Sequence, residues 1–278
     1  MKRVVTIGGG TGSYRVLLGI KNISDISISA IASMADDGGS SGKLRKEFGV
    51  LPPGDIRQCL AALSANEKMH NFLKERCEDG HMAGNYFLAG LEKLTGSFEE
   101  GLKIATKFLQ LKGVVIPVTL NNAKLNALLA TGQKIEDENK ISSIDLKIQD
   151  VNKIYFKNKV KLNPKAAEAI RKADYIIICP GDFYTSIAPN LIVGGFKKAI
   201  ALSKAKIIAI ENLGNKETDN YLNKLEGYLG KPIDNLIKGD KSLMSREKIV
   251  KEPGDTTKRS LIRHDSIKLA KAIAKIIS

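Results

Sequence analysis

Val4-Val5-Thr6-Ile7-Gly8-Gly9-Gly10-Thr11-Gly12 lies almost at the first residue of the chain. A β-branched apolar run passes into glycines, and an amphipathic stretch from Ser13 to Ile20 follows. A short strand that runs through glycines into a helix is the opening of an α/β unit. At such a junction the unpaired backbone N–H groups and the positive end of the helix dipole favour an anion. Glycines let the backbone approach a phosphate closely and adopt positive φ. Gly8, Gly9, Gly10, Thr11 and Gly12 are therefore expected to bind ligand, with Thr11 and Ser13 adding hydroxyl donors. A side chain at Gly10 is expected to fill the phosphate site. The spacing is not a P-loop, because no Gly-Lys-Ser/Thr follows. Nor is it a clean dinucleotide fingerprint, because Ser13 stands where the third glycine belongs.

Working outward, strand-like runs alternate with helical ones. Ile26–Met34, Val114–Val118, Tyr175–Cys179 and Ile207–Ile210 are the further strands, and Glu99–Leu111, Pro164–Ala173 and Leu191–Ser203 are amphipathic helices. This alternation predicts an α/β fold, a doubly wound, mainly parallel sheet with helices on both faces. Near-continuous apolar strands fit burial on both sides. Ile267–Ile277 reads as a final helix, capped by Asp265 or Ser266, that docks on the sheet. Two stretches read as irregular excursions from one domain spanning residues 1–278. Residues 133–163 suggest an antiparallel insertion, and residues 213–260 are polar, Lys-rich and punctuated by turn signals such as Glu252-Pro253-Gly254-Asp255.

The chain has 278 residues, 43% hydrophobic and 27% charged, which is ordinary for a soluble globular protein. No apolar run reaches the length of a membrane span, and no signal peptide is legible. Cys59, Cys77 and Cys179 are too far apart for a disulfide framework or zinc knuckle, and they read as small hydrophobes in a reducing compartment, the cytoplasm. The net charge of +14 divides into +3 over residues 1–140 and +11 over residues 141–278. The excess is scattered lysine without interleaved aromatics, so solvated faces are expected and not nucleic acid. A homo-oligomer is the default expectation.

Five further motifs carry polar chemistry. Asp36-Asp37-Gly38-Gly39-Ser40-Ser41-Gly42-Lys43-Leu44-Arg45 follows the second strand, which brings it beside the glycine loop at the carboxyl edge of the sheet. Asp36 and Asp37 there suit ribose hydroxyls or a shared Mg²⁺, and Ser40, Ser41 and Lys43 suit phosphate oxygens. In Pro52-Pro53-Gly54-Asp55-Ile56-Arg57, Asp55 reads as a helix cap or ligand contact and Arg57 as a phosphate clamp. In Gly80-His81-Met82-Ala83-Gly84-Asn85, His81 and Asn85 share a helical face. His81 is a proton-shuttle candidate, and Asp36 and Asp37 are the other catalytic candidates. Cys179-Pro180-Gly181 leaves the sheet sharply and leads to Thr185, Ser186 and Asn190. Glu211-Asn212 ends one more strand at the same edge.

Taken together and in this order, these motifs closely resemble the YvcK/CofD-like family, from about residue 3 to about residue 213, with the final helix also fitting. The resemblance implies a Rossmann-like doubly wound fold and two alternative functions. The YvcK branch, the gluconeogenesis factor, binds UDP-sugars such as UDP-N-acetylglucosamine and is linked to carbon metabolism, cell-wall synthesis and cell shape. The CofD branch is a 2-phospho-L-lactate transferase that uses Mg²⁺ to pass a phospholactyl group from a GMP-linked donor to a deazaflavin alcohol. The run Tyr184-Thr185-Ser186-Ile187-Ala188-Pro189-Asn190-Leu191 resembles the YvcK branch. By position, the resemblance implies that Gly8–Gly12 hold nucleotide phosphates and that Asp36, Asp37 and Ser40 line the cleft. Pro180, Gly181, Thr185, Ser186, Asn190 and Asn212 would face it from the other half. Asp182 departs from the branch pattern, which has serine there, and the segment after Asn212 looks trimmed. A dinucleotide binder using Asp36 or Asp37 on ribose is a third, weaker reading.

Overall fold

In the computed structural model, which describes residues 1–143, 150–215, 217–248 and 260–278, the strand expected at Val4–Ile7 is β1 (Lys2–Gly8). The helix after it, α1 (Gly10–Ile20), begins inside the glycine run. There follow β2 (Ile26–Ala32), α2 (Gly39–Phe48), α3 (Gly54–Leu63), α4 (Glu67–Lys74), α5 (Ala83–Thr95), α6 (Phe98–Leu109) and β3 (Val114–Pro117). A small insertion holds β4 (Leu125–Leu129), β5 (Lys134–Glu136), α7 (Glu138–Ser142) and β6 (Val151–Phe156). The second half runs through α8 (Pro164–Lys172), β7 (Tyr175–Ile178), a π-helical turn (Phe183–Ile187), α9 (Ala188–Leu191), α10 (Phe196–Leu202) and β8 (Lys206–Ile210). It closes with α11 (Thr218–Leu229), β9 (Asn235–Ile237), the hairpin β10 (Met244–Lys248) and β11 (Ser260–His264), and α12 (Ser266–Ile277).

The main sheet is six-stranded in the order β3-β2-β1-β7-β8-β9, and every pairing in it is parallel. Counting only its own strands along the chain, that order is 3-2-1-4-5-6, the doubly wound dinucleotide topology. Strand order reverses between β1 and β7, so the loops leaving their carboxyl ends part there and open a crevice. Ile176, Ile177 and Ile178 on β7 and Ile207 to Ile210 on β8 are fully buried, as expected for strands covered on both faces. β2 is different. Its start alternates Ile26-Ser27-Ile28-Ser29, and both serines remain half-buried, so one face of the sheet is open there.

The expected antiparallel insertion is the sheet β5-β4-β6, which starts earlier than the pattern suggested, at Leu125. Leu125-Asn126-Ala127-Leu128-Leu129 has no strand signature in isolation. It is strand because Leu125, Ala127 and Leu129 pack with Ile141, Ile154 and Tyr184 in a core of their own. The stretch 213–260 is also more regular than expected. α11 and β9 complete the main sheet at its edge, while Lys216 and the Glu252-Pro253-Gly254-Asp255 turn signal lie outside the described residues. The helix expected over Leu191–Ser203 is broken at Gly194-Gly195, where Gly195 takes φ +100°. The final helix, α12, forms as expected, but its main packing partner is α1 and not the sheet itself. A Cβ at Gly19 would collide with the Ser266 carbonyl, and Asp265 accepts the amides of Ile267 and Lys268 at 2.9 and 3.0 Å. Among the described residues no helix is long and apolar enough to cross a membrane.

Candidate anion-binding site

The loops after β1 and β7 touch directly at the switch point. A Cβ at Gly12 would collide with the Pro180 carbonyl, and one at Gly8 would lie 2.8 Å from Ser13 Oγ and 3.0 Å from Cys179 Cβ. One at Gly9 would strike the Asp55 carboxylate. Gly10 has φ +60° and donates its N–H to Asp55 Oδ1 at 2.6 Å. These contacts give the loop glycines a packing role beside the expected ligand role. Gly8, Gly9 and Gly12 are small because protein atoms press on them, and the Gly10 amide faces a carboxylate of the protein itself. Asp55 is correspondingly not a cap of its own helix, whose N-cap residue is Pro53.

The cavity lies beside this loop. It encloses about 390 Å³ and is lined by the first turns of α1, α2, α3 and α5, with Thr11, Ser40, Ser41, Arg57 and Asn85 among its walls. The N-cap residues of these four helices are Gly9, Gly38, Pro53 and Met82, and none gives its helix a side-chain hydrogen bond. Away from the cavity, Asn66, Ser97, Asn163 and Asp265 cap α4, α6, α8 and α12, whereas the N-cap residues of α7, α9, α10 and α11 give no side-chain bond either. The Gly10 amide is taken by Asp55 and the Ala83 amide by the Glu75 carbonyl, and the dipoles of the four helices still place partial positive charge towards the cavity. Five cationic side chains add to it, Arg15, Arg57, Lys74, Arg76 and Arg263, against one carboxylate, Asp36.

Arg57 is buried and rigidly held. Its Nε donates to Asn85 Oδ1 at 2.9 Å and one terminal nitrogen donates to the Leu73 carbonyl at 3.0 Å, both neutral acceptors. Burial lowers its affinity for its proton, and the carboxyl groups of Asp55 and Asp36 oppose that. A Cβ at Gly84 would come within 2.9 Å of Arg57 Cγ and Cδ, so this glycine makes room for the guanidinium stem. Asn85 in turn donates to Ser40 Oγ at 3.0 Å, as does the Met82 amide at 3.2 Å. With both lone pairs used, the Ser40 hydroxyl points its hydrogen at His81 Nδ1, 3.0 Å away. His81 therefore carries its proton on Nε2, and it supports the cavity wall from behind Ser40. Lys74 is held similarly. It donates to the Tyr14 hydroxyl at 3.2 Å, which donates to His70 Nε2 at 3.1 Å because His70 Nδ1 is committed to the Ala61 carbonyl at 2.8 Å.

The acidic groups divide between two roles. Asp37 accepts the amides of Glu138 and Asn139 at 2.9 and 2.8 Å, so it caps α7 and ties the insertion to the main fold. Asp36 accepts the Gly38 amide at 3.0 Å. Burial raises the Asp36 carboxyl above its usual range and, together with Asp36, raises Asp55 well above it. Glu138, from the insertion, is pushed up to about 7 by burial and by Asp36 and Asp37. Among the described residues, Asp36 and Asp37, expected as a Mg²⁺ pair, have no third ligand beside them. Both Asp37 oxygens are spent on backbone amides, and among the described residues no three acidic, histidine or cysteine side chains converge as metal ligands.

Thr11, Arg15 and Arg263 also line an adjoining cleft of about 270 Å³ with Gly12, Pro180, Gly181 and Asn212. Gly181 and Asn212 lead on to a hollow of about 310 Å³ with Asp182, Asn220 and Lys224. Pro180, Gly181 and Asn212 are thus at the crevice as expected. Thr185, Ser186 and Asn190 line none of these three spaces. The Thr185 hydroxyl donates to Asp182, the cap of the π-helical turn, at 2.9 Å, and the fully buried Asn190 braces that turn by donating to the Ser186 carbonyl at 2.9 Å. Lys43 is exposed and outside the cavity, and Arg45 is tied to Asn122. Sequence reading missed Arg15, Lys74, Arg76, Glu138 and Arg263, each a single charge in an unremarkable stretch.

The family model described as 2-phospho-L-lactate transferase CofD matches residues 4–278. A Nostoc sp. protein is 46% identical over 79% of this chain, which spans about half (49%) of that protein's length. The gluconeogenesis factor of Listeria monocytogenes is 37% identical over 90% of this chain and 79% of its own. A crystal structure of a UPF0052-family protein from Bacillus halodurans superposes with a TM-score of 0.82 at 30% identity, covering 98% of this chain and 99% of that one. With the family's model matched over nearly its whole length and its fold reproduced, the chain belongs to the YvcK/CofD-like family, with relatives that include gluconeogenesis factors.

Proposed function

We propose that this protein is a nucleotide-sugar-binding regulator of the gluconeogenesis-factor type, with a UDP-sugar such as UDP-N-acetylglucosamine as its ligand. The observation that carries this reading is the charge of the cavity. Four helix starts whose N-cap residues give no side-chain bond, and five cations, surround about 390 Å³ lined by one carboxylate among the described residues, an environment suited to a diphosphate. The adjoining clefts past Thr11 and Arg15 offer Asn212, Asp182 and Asn220 for sugar hydroxyls. Ser40 sits in the wall with its hydroxyl committed to three hydrogen bonds, which suits a positioning group and not a nucleophile. The role would be regulatory, linked to carbon metabolism, cell wall and cell shape, and binding alone would suffice for it.

The buried carboxyl groups of Asp36 and Asp55 favour a second reading, the phospholactyl transferase. A carboxyl group whose proton affinity is raised by burial and by a neighbouring acid, as Asp55 is by Asp36, can accept a proton from an attacking alcohol. A thermal-shift panel of UDP-N-acetylglucosamine, UDP-glucose, GDP, GMP and NAD, each with and without Mg²⁺, separates the two, since a ligand of the native state raises its stability by mass action. UDP-sugars alone are expected to shift the transition. A response confined to guanine nucleotides with Mg²⁺ would put the transferase first, and silence with every UDP-sugar at millimolar concentration would end the regulatory reading.

A further inference from the structure

The open face of the sheet at β2 forms a groove of about 800 Å³ between α6 and α8, which shares no lining residue with the anion cavity. Its floor follows from register. Val5 pairs with Ser29 and Ser29 with Val114, so these three side chains share one face of the sheet. Ser29 and Ser27 are small where a doubly covered strand would carry Val or Ile, and that smallness leaves the space. Leu102 of α6 and Ala169 of α8 form walls, and Val114 and Ile104, 53% and 44% exposed, line it as unpartnered apolar groups. The lining is mostly apolar and the volume falls within the roughly 300–1,000 Å³ of small-molecule sites.

The two ends of the groove differ. At the carboxyl end of the strands, Lys165 Nζ meets Glu99 Oε1 at 2.6 Å and ties α8 to α6. At the amino end the groove opens, through Arg3 and Lys172, onto a second hollow of about 650 Å³ that adds Lys2, Arg171, Lys204 and Lys206. Asp174 is the one acid among that hollow's described lining residues, where Arg3 engages it through its guanidinium at 2.8 Å and its amide at 2.7 Å, and Lys172 at the opening is paired with Glu168 at 2.5 Å. Helix dipoles account for Arg171 and Lys172 in the last turn of α8. They do not account for Lys204 and Lys206, because the carbonyls just past α10 are already served by Lys231, at 2.9 Å to Ser203 and 3.3 Å to Ala205.

An apolar slot, shut at one end and cationic at the other, is complementary to one kind of molecule. We propose that it binds a single-chain anionic amphiphile, with the aliphatic tail between α6 and α8 on Val5, Ser29 and Val114 and the anionic head among Arg171, Lys204 and Lys206. This site is separate from the cavity at the carboxyl edge and does not depend on what that cavity binds.

Dodecyl phosphate, titrated calorimetrically below its micellar concentration, is the probe, with dodecyl maltoside and inorganic phosphate as its two halves. Dodecyl phosphate is expected to bind one to one, at least about tenfold more tightly than either half alone. Ala169→Trp and Ser29→Phe fill the slot from a wall and from the floor, and each is expected to weaken it by about tenfold or more. The Lys204→Glu/Lys206→Glu pair is expected to do the same and to remove most of its salt dependence. Circular dichroism checks the fold of each variant, and either filling variant that folds suffices. Equal affinity for dodecyl maltoside, or undiminished affinity in the filled variants, would overturn the proposal, the latter by placing the amphiphile on the surface instead of in the slot.

Discussion

Asp55 Oδ1 accepts the Gly10 amide at 2.6 Å, so the amide at the head of α1 is held by a carboxyl group from the first turn of α3. Burial and the neighbouring Asp36 raise the Asp55 carboxyl well above its ordinary 3.8. The folded state therefore binds this proton more tightly than the unfolded one. That contribution to stability is complete below pH 3.8 and is lost as pH rises through the raised folded value. Asp55→Asn keeps the acceptor oxygen and deletes the charge beside Asp36. It is expected to be more stable than wild type at pH 7, with the gap closing towards pH 4. Urea midpoints across that range check it, and a variant less stable than wild type at pH 7 would refute it.

Glu138 gives a narrower window. Its carboxyl is raised from 4.5 to about 7 by burial and by Asp36 and Asp37, so its stabilising protonation is lost between those two values as pH rises. Glu138→Gln is expected to flatten the wild-type decline between pH 5 and 7 and to gain on the order of 1 kcal/mol at pH 7, allowing for partial solvent screening. Parallel pH–stability curves for the two proteins would show that Glu138 titrates normally.

Arg57 is expected to dominate anion affinity, because it is a buried cation fixed by neutral acceptors. Arg57→Met should cost about tenfold or more in UDP-sugar affinity and about 1–3 kcal/mol of stability, since it leaves the buried Asn85 Oδ1 and Leu73 carbonyl without their donor. Gly84→Ala acts on the same group indirectly, pressing on Arg57 Cγ and Cδ from 2.9 Å. Calorimetric titration of both variants is the check. Full affinity in Arg57→Met would place the phosphates elsewhere.

The glycines make separable predictions. At Gly12 an added Cβ collides with the Pro180 carbonyl, so Gly12→Ala should destabilise by about 1–3 kcal/mol through overpacking. At Gly90, inside α5, an added Cβ meets nothing within 4 Å, so Gly90→Ala should stabilise by up to about 1 kcal/mol through helix propensity. Gly10→Val should destabilise through backbone strain at φ +60°, because its Cβ would meet only Asp55 Oδ1 at 3.8 Å. Chemical denaturation distinguishes all three, and a destabilised Gly90→Ala would mean a neighbour presses on α5 there.

The parallel sheet, its switch point and the gathering of polar loops at its carboxyl edge were legible in the residues. β-branched runs, amphipathic periods and glycine or Pro-Gly junctions are local patterns with local causes. Asp36, Ser40, Ser41, Arg57 and Asn85 were found for the same reason, since each sits on a loop or first helical turn that such a pattern marks. Only the tertiary structure decided which charges meet. Arg15, Lys74, Arg76 and Arg263 come from α1, α4, the segment after it and β11, and no spacing in the chain brings them together. It also decided what the glycines are for, because Asp55 and Pro180 press on Gly9 and Gly12 only once α3 and β7 are in place. A local pattern specifies an element and its buried face, whereas the direction of a charged side chain and the close approach of two loops depend on how distant elements pack.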